Sequence, residues 1–332
     1  MATPARVVLL GTAGGSITWA PGTGGAVARF GISTAIVVGD RIYIVDTGAG
    51  STRQLTLADP FARGAGAVLS DLGGFFITHL HSDHTVDLAN YVLCASNQGW
   101  PKDPVPVFGP WSRQLRDDEE HVAEQLHIRD HTIPGIQHLV AHLAEGFISD
   151  AQDRMISAHS APFEELVRAR DITPPMNPTQ QTFRVFEDER IQVTSAIVSH
   201  GTMAPALAYR FDTGEGTVVL SGDTGPCDNL VELACGADVL IHEAISYRFA
   251  TATYGEPPYT PEQRSKLDHV FAKHTSSALV GEIAAKAEVR KLVLSHLVPG
   301  NAPDADWLVG ASAFDGEFVV GRDLMEIPIV AR

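Results

Sequence analysis

Short apolar runs rich in β-branched residues recur along the chain and predict β-strands. In the first third of the sequence, the predicted strands are Arg6–Leu10, Ala35–Val38, Arg41–Val45, Phe75–Ile77 and Val105–Phe108. Only Gly39 and Asp40 separate the second strand from the third, which predicts a hairpin with a two-residue turn. The stretch Gly11–Gly15 lacks the lysine and the spacing of a phosphate-binding P-loop, so we expect a turn near the rim of a site.

The strands predicted in the second half of the chain lead to residues capable of chemistry. These strands are Thr182–Phe186, Ile191–Ser199, Ala206–Phe211, Thr217–Ser221, Val239–Ile241 and Lys291–Ser295. The residues that follow them include His200, Asp223, His242, Glu243 and His296. Repeated strands that end in His or Asp are what a multi-ligand site at one edge of a β-sandwich requires.

Helical spacing of apolar residues predicts helices near Thr52–Leu57, after His84, and over Thr275–Ala287. Asp46, which follows the third strand, has two interpretations. It either orients a metal-bound group or caps the helix near Thr52–Leu57.

The region at about 111–180 has a different character. Trp111–Arg129 and Ile136–Arg154 combine helical periodicity with many charges, and Pro174–Pro178 indicates a loop. We predict one domain, residues 1–332, with a mostly helical insertion at about 111–180, where substrate-selecting parts are expected. The histidines of this region have no compact ligand spacing, so most are expected to be solvated, with a further metal site or a subunit contact as the alternative: His121, His127, His131, His138, His142 and His159.

The densest chemistry lies in the stretch Thr78–His84, between the strand that ends at Ile77 and a helical stretch. His79, His81, Asp83 and His84 are all ligand-capable, and neutral imidazoles with a carboxylate suit a borderline cation such as zinc. A single histidine in this stretch could be explained as a turn residue that makes ordinary hydrogen bonds. The full His-x-His-x-Asp-His pattern at a strand-to-helix junction favours a metal site.

Composition narrows the class of protein. With 44% hydrophobic and 19% charged residues among 332, the chain can bury a substantial core. It has no run of 18 apolar residues, so no membrane span is expected. Cys94, Cys227 and Cys235 are few and scattered, and we interpret them as core thiols of a reducing compartment, by default the cytoplasm.

The charge balance argues against nucleic acid as a partner. The chain has 24 Lys and Arg against 40 Asp and Glu, a formal net charge of −16. RNA is attracted by cations that neutralise its phosphates, so a small-molecule substrate is favoured. A local basic patch can nevertheless exist in an acidic protein.

These residues together resemble the metallo-β-lactamase superfamily, and within it the ribonuclease Z-like branch. His79-Leu80-His81-Ser82-Asp83-His84 matches the superfamily pattern HxHxDH, and His200, Asp223 and His296 follow in the right order. The branch is suggested by Ser221–Thr224, Ile241–Ala244, and His274-Thr275-Ser276. The insertion looks more like arylsulfatase-type relatives, and it shows no extended basic arm of the kind that tRNA-processing members carry.

The resemblance implies an α/β fold, a four-layer αββα sandwich, with two metals at its open edge. One zinc would take His79, His81 and His200, and the other Asp83, His84 and His296, with Asp223 as the bridge. Mn²⁺ or Fe²⁺ would also suit this donor set. Asp83 would orient the nucleophilic water, and His274, oriented by Glu243, would serve the leaving group. The family also implies a homodimer.

Two functions follow from this sequence. The first is a dinuclear metal-dependent hydrolase of a small ester-like substrate, meaning a sulfate, phosphate or carboxylic ester or a lactone. The alternative is a ribonuclease Z-type phosphodiesterase that trims tRNA 3′ ends. A non-catalytic scaffold is disfavoured because all the ligand positions are filled, and the branch motifs disfavour β-lactamase activity.

Overall fold

The computed structural model describes residues 4–15, 19, 28–64, 66–95, 99–128, 130–175, 181–254 and 257–331. Two seven-stranded sheets dominate it. In spatial order, the first sheet consists of β16 (Glu326–Pro328), β1 (Arg6–Gly11), β2 (Ser33–Val38), β3 (Arg41–Val45), β4 (Leu72–Phe76), β5 (Val105–Pro110) and β8 (Val167–Ile172). The second consists of β15 (Glu317–Val320), β14 (Lys291–Val298), β13 (Val239–Ile245), β12 (Gly216–Leu220), β11 (Ala206–Thr213), β10 (Ile191–Val198) and β9 (Thr182–Glu187).

The two sheets pack face to face through alternate apolar side chains of their strands. Phe76 lies near the centre of this interface, where its ring stacks on Phe108 and meets Phe186, Tyr209 and Phe211 edge-on. Because the ring is fully buried, it contributes its whole apolar surface to the contact between the sheets.

Helices cover the outer face of each sheet. The first sheet packs against α1 (Ser51–Ala58), α3 (Leu88–Leu93), α5 (Ile136–Gly146) and α7 (Phe163–Leu166). The second packs against α8 (Asp228–Ala234), α11 (Val280–Lys286) and α12 (Asp304–Trp307). The remaining helices are α2 (Ser82–Thr85), α4 (Glu120–Ala123), α6 (Ile148–Ser157), α9 (Tyr247–Tyr254) and α10 (Pro261–Lys273). The layers confirm the predicted αββα sandwich.

Each sheet contains a block of parallel strands. β3, β4, β5 and β8 run parallel in the first sheet, and β12, β13, β14 and β15 in the second. Parallel strands bring their carboxyl ends to the same edge of a sheet. The loops after β4 and β12, which carry His79 to His84 and Asp223, therefore lie at such edges. β10 is antiparallel to β11 and so runs in the same direction as β12, which brings His200 to the same edge of the second sheet.

Several sequence predictions need correction at their boundaries. The β2–β3 hairpin is confirmed, with Val38 paired to Arg41 across the turn. The predicted helix Thr275–Ala287 begins only at Val280, because residues 275–279 form turns that bond to neighbouring strands. β13 and β14 continue past their predicted ends, through Glu243 and His296. The cysteines are free, but Cys235 is exposed and the other two are half-buried, so they are not core residues.

The region at about 111–180 is less helical than expected. Trp111–Arg129 contains the short strand β6 (Arg113–Gln114), a 3₁₀ turn (Asp117–Glu119) and α4, and a second short strand, β7 (Thr132–Ile133), pairs with β6. Ile136–Arg154 forms two helices that meet at Phe147. β8 belongs to the first sheet, while Arg129 and residues 176–180, with part of the predicted proline loop, lie outside the described residues. The single-domain boundaries stay a prediction.

Within the part of the chain that the structure describes, none of the helices is both long enough and apolar enough to cross a membrane.

Phe76→Ala should lower the free energy of unfolding by about 3–5 kcal/mol, because it removes a buried ring and leaves a cavity between the sheets. Urea unfolding at fixed metal concentration measures the change. Leu57→Ala is the control, since Leu57 is 58% exposed, and its effect should stay within about 0.5 kcal/mol. Equal effects of the two substitutions would contradict the packing described here.

Candidate metal centre

The stretch after β4 forms the first part of the site. His79 is fully buried, and His81 immediately precedes α2 in extended conformation. α2 then carries Asp83 and His84 in its single turn. Because the chain passes from a buried strand directly into a helical turn, four ligand-capable side chains project from one rigid segment.

The second sheet supplies the other side chains. His200 follows β10 and donates its Nδ1 hydrogen to the carbonyl of Lys273 at 2.8 Å, which leaves Nε2 facing the site. Asp223 follows Gly222, whose φ of 57° lies in the left-handed region. A Cβ at Gly222 would come within 2.5 Å of the Leu207 carbonyl oxygen, so this turn requires glycine.

His296 reaches the site through a β-bulge in β14. Glu243 of β13 pairs with Ser295 and Ala244 pairs with Leu297, so His296 has no partner in the ladder. Its φ of 45° is unusual for a residue with a Cβ. A bulge redirects one side chain without ending the strand, and here it directs an imidazole toward Asp223.

The structure brings the predicted ligands into two adjoining groups. Ligand atoms of His79, His81, His200 and Asp223 lie within 4.8 Å of one another, as do those of Asp83, His84 and His296. Asp223 lies between the groups. Its Oδ2 is 3.8 Å from Nε2 of both His79 and His200, while its Oδ1 is 3.4 Å from His84 Nε2 and 3.2 Å from His296 Nε2.

The donor atoms fit a metal cation. His84 Nε2, His296 Nε2 and Asp223 Oδ1 are buried and have no hydrogen-bond partner. Leaving such atoms unpaired is costly, and a cation between them would remove that cost. Around His81, ring nitrogens of His79 and His200 converge to 2.9 Å and 3.3 Å from its Nδ1, an arrangement that suits lone pairs directed at one ion.

Protonation states also suit metal binding. Burial and neighbouring histidines hold the pKa of His79 well below its ordinary value, and burial lowers the pKa of His81 to about 4. Both rings are therefore neutral, with a lone pair available. His84 differs, because the Asp223 and Asp46 carboxylates outweigh burial and raise its pKa, so metal binding there would release a proton.

Asp46 is not a helix cap. Its Oδ1 accepts the Thr78 backbone hydrogen at 2.8 Å, and its Oδ2 accepts from Thr78 Oγ1 at 2.8 Å and from His84 Nδ1 at 2.9 Å. The capping interpretation is wrong, since Asp87 bonds the Thr52 backbone at the start of α1 instead. Asp46 orients His84 so that its Nε2 faces the site.

His274 and Glu243 form a pair beside the two groups of candidate ligands. His274 Nδ1 lies 3.1 Å from Glu243 Oε1 and 3.9 Å from Asp223 Oδ2. Burial alone would lower the pKa of His274, but the Glu243 carboxylate outweighs it and raises the pKa to about 9. The His274 side chain is 22% exposed, so it is accessible to a bound substrate.

Other histidines lie away from the site. His242 is buried within β13 and bonds the Glu243 carbonyl oxygen through Nδ1, and no metal-capable group of described residues contains it. The histidines of the 111–180 region are all exposed, and among the described residues none belongs to such a group: His121, His127, His131, His138, His142 and His159.

The glycine turn after β1 supports two of the candidate ligands, as its predicted place near the rim implied. The Gly15 backbone donates to Asp83 Oδ2 at 3.0 Å. The His296 ring packs so closely on Gly14 that a Cβ there would lie 2.5 Å from Nδ1. The turn can be recognised in the sequence, but its contacts depend on the approach of residues 12–14 to β14.

Comparison with known proteins identifies the family. The chain is 30% identical over 308 residues to the Ribonuclease Z of Mycobacterium avium, and the match covers 91% of this chain and 93% of that protein. It belongs to the ribonuclease Z family. The Ribonuclease Z of Mycobacterium bovis is 28% identical over 312 residues, with 92% and 94% covered. No family model matches the chain.

Solved structures agree on the fold. Human tRNase Z, short form, superposes with a TM-score of 0.60 at 18% identity, covering 98% of this chain and 99% of that one. The metallo-β-lactamase fold protein YhfI from Bacillus subtilis also gives 0.60, at 16% identity, covering 98% and 100%. The resemblance to the superfamily is confirmed. This family member is a hydrolase, and its cluster of His and Asp side chains could hold a metal ion. The arylsulfatase-type likeness stays a prediction.

Gly14→Ala should weaken metal binding by about 10–100-fold, because the added methyl group displaces the His296 ring. Titration of the metal-free protein with zinc against a competing chelator measures the affinity. In the matched control, Gly214→Ala, a Cβ meets no atom within 4 Å, so affinity should not change. Unchanged zinc affinity in Gly14→Ala would contradict His296 as a ligand.

Proposed function

We propose that this protein is a ribonuclease Z-type phosphodiesterase that processes the 3′ ends of precursor tRNA. The observation that carries the proposal is its identity with curated Ribonuclease Z proteins over nine-tenths of both chains. The His274–Glu243 pair next to Asp223 adds a proton donor where a leaving oxygen would lie.

The donor set supports a centre for two divalent metals, with zinc as the proposed ion. His79, His81 and His200 would hold one, Asp83, His84 and His296 the other, and Asp223 would bridge them. When bound, such a pair lowers the pKa of a water and neutralises charge on the attacked phosphate. Three free cysteines favour a reducing compartment, and we propose a cytoplasmic homodimer.

The side chains of the protein would orient and transfer protons. Asp83 accepts the Gly15 amide hydrogen through Oδ2, which fixes the carboxylate where it can orient the attacking water. Glu243 Oε1 also accepts the backbone hydrogens of Thr224 and Thr275 at 3.1 Å each, so the carboxylate is rigidly held. The carboxylate in turn orients the His274 ring, whose Nε2 would donate a proton to the leaving oxygen.

A second candidate is hydrolysis of a small ester-like substrate at the same centre. The observation in its favour is the net charge of −16, which opposes association with RNA. Both candidates use the same hydrolytic groups, so they differ in substrate rather than in mechanism.

The deciding experiment is incubation of the zinc-loaded protein with a 3′-extended precursor tRNA. We expect cleavage at the 3′ boundary, and we expect Asp223→Ala to abolish it because the bridge between the metals is lost. Asp315→Ala, the same change at an exposed site, is the control and should cleave normally. If the metal-replete protein hydrolyses sulfates, lactones or small phosphate esters but leaves the tRNA intact, the second candidate is correct.

His274→Ala should keep its metal while the rate of hydrolysis falls by a factor of about 10²–10⁴, as expected for loss of a general acid. Metal content by atomic absorption and single-turnover rates test this together. His269→Ala, an exposed histidine of α10, serves as control. Loss of metal in His274→Ala would identify His274 as a ligand instead.

A further inference from the structure

The surface hairpin, defined as the described residues 113–128 and 130–133, contains few buried side chains. Among these residues, Ala123 is the one whose side chain is buried, and Leu126 is 66% exposed. β6 pairs with β7, and the Leu115 backbone bonds the His131 carbonyl. Because Ala123 is the one buried side chain among these residues, polar contacts contribute to the position of the hairpin.

Those polar contacts are made with one segment of the chain. Among the described residues, the hydrogen bonds that join the surface hairpin to the rest of the chain go to the loop after β10, which begins with Ser199 and His200. Arg113 Nε donates to the Ala204 carbonyl at 2.6 Å, and Arg116 Nη2 donates to the Thr202 carbonyl at 3.2 Å. We call this segment, residues 199–205, the His200 loop.

Glu119 holds both arginines in position. Its Oε2 accepts from Arg113 Nη1 at 2.6 Å and from the Arg116 backbone at 2.9 Å. Its Oε1 accepts from Arg113 Nη2 at 2.7 Å and from Arg116 Nη2 at 2.6 Å. The contact with Arg113 is bidentate, the strongest form of such a pair, and both side chains are less than one-fifth exposed, at 14% and 17%.

We infer that Glu119 is a positioning residue that couples the surface hairpin to the metal site at His200. The carboxylate fixes two guanidinium groups, these fix the carbonyls of the His200 loop, and the loop presents His200 Nε2 toward His79 and His81. The inference rests on the proposed metal centre, but not on the identity of the substrate.

The coupling must act in both directions, because linkage between two sites is reciprocal. If an ordered hairpin improves metal binding at His200, then bound metal must also stabilise the ordered hairpin. Zinc that only stabilised the folded chain as a whole would slow exchange in the hairpin with or without Glu119, whereas coupling makes that slowing depend on Glu119.

Hydrogen–deuterium exchange with and without zinc tests the reciprocal effect on the whole protein. In the unaltered protein, zinc should slow amide exchange within the surface hairpin, although the hairpin is distant in sequence from the candidate metal ligands. In Glu119→Gln, zinc should no longer slow amide exchange in the surface hairpin. The dissociation constant of the more weakly bound zinc ion should rise by about 10–100-fold, as for other groups that orient metal ligands.

Asp118→Asn is the matched control. It removes the same charge from the adjacent residue, whose side chain is 75% exposed and lies 3.7 Å from Arg116, and it should behave as the unaltered protein. If Glu119→Gln unfolds, Arg116→Gln gives the same test, since it breaks the Thr202 contact and leaves the Arg113 contact.

Three results would overturn the inference. These are zinc-independent exchange in the hairpin of the unaltered protein, equal zinc affinity in Glu119→Gln, and the same loss of affinity in Asp118→Asn. Failure of tRNA cleavage would refute the proposed substrate and leave these measurements intact. Absence of zinc binding by the unaltered protein would refute the metal centre, and this inference with it.

Discussion

The buried carboxylate of Asp223 is the group on which the arrangement of the site depends. One oxygen faces His79 and His200 and the other faces His84 and His296, so a single side chain lies between two groups of candidate ligands. A charge that is only 2% exposed is unfavourable unless cations or hydrogen bonds compensate it. The converging histidines, the left-handed turn at Gly222 and the bulge at His296 are all consistent with that requirement.

Much of this architecture could be predicted from the sequence. The strands have a clear apolar pattern, and the order of His79, His81, Asp83, His84, His200, Asp223 and His296 along the chain identified side chains that the fold does bring together. For the residues that follow β4 and β12, the prediction is correct because the carboxyl ends of parallel strands meet at one edge of a sheet, so a residue after such a strand has a predictable location.

Other features depend on contacts between distant segments and have no local signal. The extension of β14 through His296 requires a bulge that only the pairing with β13 defines. The partner of Asp46 depends on the adjacency of β3 and β4, which brings residues 46 and 78 together. The spacing of charged and apolar residues over the stretch Trp111–Arg129 fits a helix and predicts one. Its arginines instead bond loop carbonyls that lie 91 and 86 residues away in the sequence, and a local sequence pattern cannot indicate such contacts.

The origin of the ligands has a consequence for the sandwich itself. His79, His81, Asp83 and His84 follow a strand of the first sheet, whereas His200, Asp223 and His296 belong to strands or turns of the second. An ion held by both sets would be a cross-link between the two sheets. Zinc bound in this way would hold the two sheets together in addition to serving catalysis. The unfolding temperature of the protein would then rise with the free zinc concentration, since a ligand that binds only the folded chain stabilises it by mass action.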